Sequence, residues 1–151
     1  MGTFAQDTAD EYQLTREDMD GYSIESLRRA NEAIASGAFA DEVVPVTFAT
    51  RKGDVTVDTD EQPGRGMPDK IPNLRPAFAK DGTITAATSS SISDGAAAVV
   101  LTRESVAKEN GQEPVAKIVA LAAHAQEPKD FTVAPVGAIT KVLERAGWST
   151  A

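Results

Sequence analysis

The segment TITAATSSSISDGAAAVVL, Thr83 to Leu101, concentrates the side chains of this sequence that could touch a reacting group. Thr88, Ser89, Ser90 and Ser91 place four hydroxyls in a row, followed by Asp94-Gly95 and an alanine run. Such a cluster can supply a nucleophile, line a polar pocket, or close a turn. A serine nucleophile needs a base within hydrogen-bond reach and donors for the developing oxyanion. The chain holds one histidine, His124, and no G-x-S-x-G elbow. That disfavours a nucleophile and leaves a turn or a pocket lining. Asp94-Gly95 is expected to be a tight turn into a strand rather than a catalytic acid.

The other candidate groups read as structural. His124 follows an apolar stretch and is expected to be a satisfied or exposed histidine without a chemical role. Asp54, Asp58, Asp60 and Glu61 lack the full calcium-loop pattern and read as a solvated acidic surface. No metal site is expected. The chain has no cysteine, which removes a thiolate nucleophile, a disulfide and a cysteine-bound zinc from its repertoire.

The elements that must position these residues follow from local signals. Residues 3 to 13 are expected to form a short helix. Thr15 is expected to cap a longer one, with Glu17 and Asp18 in its first turn. Met19, Tyr22, Leu27, Ala30 and Ile34 follow a helical period, and Gly37 is the stop signal. Glu42 to Ala49 and Val55 to Val57 read as strands around an Arg51-Lys52-Gly53-Asp54 turn, with Pro45 at an edge. Asp58 to Pro76 reads as an irregular loop. Ala96 to Leu101 reads as a buried strand and Ser105 to Glu109 as a short helix ended by Gly111. Val115 to Ala123 fits strand or helix by periodicity, and its Ile/Val content favours a strand. Pro135 to Ala146 reads as an amphipathic helix, with Ile139, Val142, Leu143 and Ala146 inward and Gly147 as terminator.

Bulk properties exclude some classes. A length of 151 residues suits one domain. A net charge of −8, with scattered Lys and Arg, argues against a nucleic-acid partner. No apolar run approaches the roughly 20 residues of a membrane helix, so no membrane partner is expected. The acidic start MGTFAQDTADEY lacks the basic and apolar regions of a signal peptide, and a cytoplasmic location is expected. Two doubly buried strands and a few short helices cannot cover one another well, so the chain reads as a piece of something larger.

The order MGTFAQDTADEYQLTREDMDGYS, SGAFADEVVPV, RKGDVTVDTDE, LRPAF, DGTITAATSSSISDGAAAVVL and LERAGW resembles the middle of a thiolase, the acetyl-CoA acetyltransferase / 3-ketoacyl-CoA thiolase family. The resemblance covers essentially the whole chain. It implies a partial thiolase-like α/β fold. Residues 1–87 would be a portion of the loop domain, 88–112 the end of the N-terminal core domain, and 113–151 the start of the C-terminal core domain. It also requires a strand at Ala96 to Leu101 beside one near Val115 to Ala123.

The resemblance further implies an acyltransferase acting on coenzyme A thioesters as substrates, with no separate cofactor. The family's nucleophilic cysteine segment would precede Met1, and its NEAF-, GHP- and CxGxG-type motifs would follow Ala151. This chain alone is therefore expected to be inactive, with no catalytic residue of its own. It would retain part of the coenzyme A pocket. The family's pantetheine-contacting serine falls on Ser90, a neighbouring pocket alanine on Ala86, a His-Met-Gly turn on Met1, and a nucleotide-side arginine on Arg65. Thr88 and Ser91 depart from the family's Asn-Ala-Ser-Gly form, which leaves chain-length preference open. A homo-oligomer is expected for the complete protein. The rival readings are a non-catalytic coenzyme A-binding or oligomerisation module, and a truncated product with no function of its own.

Overall fold

The computed structural model describes residues 1–150. They divide into two compact units, one formed by Gly2–Ser90 and the other by Ser91 onward together with Met1. Helices and a β-hairpin make the first unit, so the chain is mixed α and β. No helix among the described residues is long and apolar enough to cross a membrane.

In the first unit, helix α1 spans Gly2–Glu11 and turns its Gln6 and Ala9 inward. Thr15 is extended, and its side-chain oxygen accepts the Asp18 N–H at 3.1 Å. This satisfies one of the donors that every helix start leaves free. Helix α2 then runs Arg16–Ala35, with Glu17 and Asp18 where the helix dipole favours negative charge. Gly37 adopts φ 69°, the left-handed conformation that glycine takes without steric cost, and the helix ends before it. The expected cap and stop are both present. The expected inward stripe is only partly so: Met19, Leu27 and Ala30 are half-buried, whereas Tyr22 and Ile34 are exposed.

Strands β1 (Val46–Thr50) and β2 (Gly53–Val57) form an antiparallel hairpin in which Val46 faces Val57 and Phe48 faces Val55. The first strand is shorter than expected. Backbone bonds from Glu42 and Val43 to the Phe39 carbonyl hold that region in a turn, and Pro45 has no N–H to give a ladder. The Asp58–Pro76 stretch is more ordered than an irregular loop. Asp60 accepts the Gln62 N–H at 2.9 Å and caps helix α3 (Glu61–Arg65), and a 3₁₀ helix follows at Pro68–Asn73. Both pieces pack on α2.

Arg16 fastens this loop. Its Nη2 donates to the carbonyls of Ile71 at 3.0 Å, Pro72 at 3.3 Å and Leu74 at 2.9 Å. Its Nε donates to Asp20 Oδ2 at 2.7 Å, one helical turn on. Asp20 is buried, and its Oδ1 has no partner among the described residues. Ile71 is buried at the same place.

The second unit holds α4 (Glu104–Glu109), a 3₁₀ turn at Pro128–Asp130, and α5 (Ala134–Ala146). Gly111 and Gly147 take φ 66° and 68°, so both expected stops are seen. Two expected strands are not. Residues 96–101 and 115–123 form no strand and make no backbone–backbone hydrogen bond among the described residues. Val100 is 95% exposed and Val115 104%, where burial was expected. A strand is defined by a paired neighbour, and among the described residues no segment pairs with either of them through backbone bonds. The requirement that the two lie side by side as strands is likewise not met. Asp94-Gly95 forms no turn: it lies in a stretch without backbone bonds, and Gly95 does not take positive φ. On α5, Val142, Leu143 and Ala146 are half-buried as expected, but Ile139 is exposed.

An ion-pair cluster lies on the solvent side of α2. Glu25 accepts from Arg28 Nε at 2.7 Å and from Arg29 Nε at 2.7 Å, and Arg28 also donates to Glu32 at 2.9 Å. These bonds, those from Arg28 first, lower the Glu25 pKa from an ordinary 4.5 to about 2. A depressed carboxylate pKa contributes stability above its unfolded value and loses it as pH falls through the folded one. Far-ultraviolet circular dichroism should therefore show α2 weakening between about pH 4.5 and pH 2. Glu25→Gln should flatten that part of the acid curve, as should high salt, because the cluster is exposed. An unchanged acid curve in the variant would contradict this. Removing Arg16 acts differently. Arg16→Ala leaves the Asp20 carboxylate buried and unpaired and frees three carbonyls, so urea unfolding should show a loss of about 3 kcal/mol.

Candidate functional site

The hydroxyl run is first of all a turn. Thr85 is fully buried, and its N–H donates to Thr88 Oγ1 at 2.8 Å. The Thr85 hydroxyl accepts the Ala87 N–H at 3.2 Å. Thr88 Oγ1 and Ser89 Oγ both donate to the Thr85 carbonyl, at 3.3 and 2.7 Å. Side chains thus supply the bonds that a sheet or helix would otherwise give this backbone. Ser91 pairs with Ser93 at 2.9 Å. Of the four hydroxyls in the run, only that of Ser90 forms no hydrogen bond among the described residues.

The turn is held from behind by α1. Gln6 Oε1 accepts the N–H groups of Thr83 at 2.9 Å and Ile84 at 3.2 Å. Gln6 Nε2 donates to Thr83 Oγ1 at 3.1 Å and to Asp10 Oδ1 at 2.8 Å. The loop entering the turn is closed by the Ala77 N–H donating to the Ile84 carbonyl at 2.8 Å. Gly82 fits only because it lacks a side chain: a Cβ there would stand 2.6 Å from Gln6 Oε1.

In front of the turn lies an open groove of about 770 Å³ within the first unit. Ala87, Thr88, Ser89 and Ser90 make one wall. Helix α2 makes a second, through Met19, Tyr22, Ser23, Ser26 and Leu27 among others. Asp60, Gln62 and Pro63 close the side at α3. Helix α3 comes this close because Gly66 has no side chain, a Cβ there lying 2.5 Å from Leu27 Cδ2. The lining alternates aliphatic carbon with hydroxyl and amide groups. Its charged members are the carboxylates Asp18 and Asp60, so the groove suits a neutral amphipathic chain and repels a phosphate.

No histidine is among the described residues that line the groove, so Ser89 and Ser90 have no imidazole base in its walls. The chain's one histidine, His124, lies in the other unit, where its Nδ1 meets Lys141 Nζ at 3.0 Å and its ring packs on Gly137. Asp18 and Asp60 are engaged as helix-start acceptors and donors' partners, with Thr15 Oγ1 donating to Asp18 at 2.5 Å. No cluster of three or more His, Asp or Glu side chains among the described residues is arranged to hold a metal.

Three of the four residues singled out from the sequence, Arg65, Ala86 and Ser90, lie in the Gly2–Ser90 unit. Ser90 lines the groove, exposed. Ala86 sits on the same turn, exposed, but is not part of the lining. Arg65 projects from α3 into solvent, 68% exposed, and pairs with Glu61 at 3.0 Å. Met1 belongs to the other unit and is 80% exposed. Sequence reasoning missed the α2 and α3 contributions and the role of Gln6. Gly66 and Gly82 were the available signals, since each marks a close approach.

Comparison with known proteins gives this geometry a context. The family model for the N-terminal domain of thiolase matches residues 1–105. An acetyl-CoA acetyltransferase of Yarrowia lipolytica is 49% identical over 147 residues, covering 97% of this chain and 37% of the relative. One from Rhizobium meliloti is 45% identical over 152 residues, covering 100% of this chain and 39% of the relative. The crystal structure of the Bacillus anthracis acetyl-CoA acetyltransferase superposes with a TM-score of 0.94 at 39% identity, covering 99% of this chain and 38% of that one. A thiolase from Ascaris suum, in complex with coenzyme A, gives 0.87 at 45% identity over 98% of this chain and 38% of that one. The chain thus spans well under half the length of the relatives it matches. The two extended segments lack ladder partners, yet nearly the whole chain follows the path of solved thiolases; the chain belongs to the thiolase family, as a segment of its fold.

Proposed function

We propose that this chain is part of an acyltransferase that makes or cleaves 3-ketoacyl-coenzyme A, and that its groove holds the pantetheine arm of a coenzyme A thioester. The observation that carries this is Ser90: a hydroxyl without a partner among the described residues, next to a side-chain-bonded turn and lining an amphipathic and phosphate-averse groove. Pantetheine is a neutral chain of amides, a hydroxyl and methylenes, which matches that lining. The nucleotide phosphates would lie away from Asp18 and Asp60, toward the Arg65 side of α3. The exposed Arg65–Glu61 pair gives little in water, so a phosphate could displace the glutamate at small cost. Ala86 would stand beside the arm, on the same turn as Ser90. No cofactor other than the substrate thioester is required. The chain itself performs no acyl transfer, because it has no thiol to accept the acyl group.

Isothermal titration of the 151-residue chain with coenzyme A and with pantetheine tests this. Both should bind, and Ser90→Ala should weaken both by about fivefold, the size of one hydrogen bond. Absence of binding, or binding indifferent to position 90, would contradict the reading. A thiolysis assay on the same chain should show no turnover above buffer, and measurable turnover would overturn the assignment of the chemistry to other segments.

A second reading, self-assembly, is favoured by the hairpin. Val46, Phe48, Val55 and Val57 share one face of the two-stranded sheet and are each between 42% and 60% exposed. A two-stranded sheet with an open apolar face is marginal in water and gains from cover. Sedimentation equilibrium should show concentration-dependent association of the chain that Phe48→Asp abolishes. A monomer at every concentration would remove this reading.

A further inference from the structure

The groove wall at Ser90 is built on one buried amide that touches no groove atom. Gln6 is 7% exposed and uses both ends of its carboxamide. The oxygen takes the Thr83 and Ile84 N–H groups, while the nitrogen serves Thr83 Oγ1 and Asp10 Oδ1. The next residue, Thr85, is fully buried and carries the hydroxyl bonds that shape the turn as far as Ser89. Gly82 leaves room for the amide and for nothing larger. We propose that Gln6 is a positioning residue: it fixes where the Thr85–Ser90 wall stands and thereby sets the affinity of the groove for the pantetheine arm. The proposal rests on the reading of the groove given above.

The amide's chemistry, as well as its shape, is required. A carboxylate at position 6 would still accept both backbone N–H groups. It would lose the donor to Thr83 and would face Asp10 across a contact that is now 2.8 Å. Two carboxylates at that distance share a proton at low pH and repel each other once it is lost. Gln6→Glu should therefore behave as wild type at low pH, where the shared proton restores the bond, and lose the wall's position as pH rises.

Two measurements on the 151-residue chain test this separately from the groove reading. The first is amide hydrogen exchange. Gln6→Leu should speed exchange at Thr83, Ile84, Thr85 and Ala87 by about tenfold or more, and leave the middle of α2 unchanged. Gln6→Glu should do the same at pH 8 and not at pH 5. Adding Asp10→Asn, whose amide can donate to the new carboxylate, should restore slow exchange at pH 8. The second is the affinity for pantetheine, which should follow the same order and the same pH dependence, while wild type shows none of it. Unchanged exchange at residues 83–87 in Gln6→Leu overturns the proposal, as does uniform acceleration across α2, which would mark a merely structural residue. Failure of the wild-type chain to bind pantetheine would instead remove the groove reading, with the exchange result still deciding whether Gln6 positions the wall.

Discussion

The carboxamide of Gln6 joins two stretches of chain that lie 77 residues apart in sequence. Few groups can do this. Thr83 and Ile84 present adjacent N–H donors that belong to no helix or sheet, and a buried donor without an acceptor costs about 1–3 kcal/mol. A single amide oxygen answers both, and the amide nitrogen anchors the side chain to its own helix through Asp10. With that point fixed, Thr85 can be buried, its neighbours can fold their hydroxyls back on it, and Ser90 is left exposed and unbonded among the described residues.

The opposite wall depends on a different economy of space. Arg16 gathers three carbonyls of the 3₁₀ segment and is itself steadied by Asp20. This holds the loop after β2 against α2, and Gly66 allows α3 to approach Leu27 closely. The groove between these walls is shaped by backbone bonds to side chains more than by a large apolar core. Only Ala9, Ile71 and Ile84 are buried hydrophobics in the Gly2–Ser90 unit among the described residues. Such polar fastening is specific, because each group has one geometry that satisfies it.

What could be read from the sequence was what is decided locally. The Thr15 cap and the glycine stops at 37, 111 and 147 depend on a few neighbouring residues, and all were legible. So was the amphipathic helix at α5. The segments 96–101 and 115–123 show the limit. Their Val, Ile and Ala content fits a strand, but a strand is a property of two chains of backbone, and here none pairs with them. The family resemblance was legible through LRPAF and the DGAAA run, because it draws on the whole pattern of residues. The groove was not, since it needs α3 on α2 and Gln6 on Ile84, contacts that no short window contains. Ser90 was marked by resemblance alone; that its hydroxyl is the unbonded one in its run required the structure.

The central claim is that the surface in front of the Thr85–Ser90 turn receives the pantetheine arm. Amide chemical-shift mapping of the isotopically labelled chain during a titration with coenzyme A tests it most directly. The account predicts shifts confined to Ala87–Ser90, to the Met19–Leu27 face of α2 and to Gln62 beside it. Shifts centred on residues 117–120 and α5, or none at saturating coenzyme A, would contradict it.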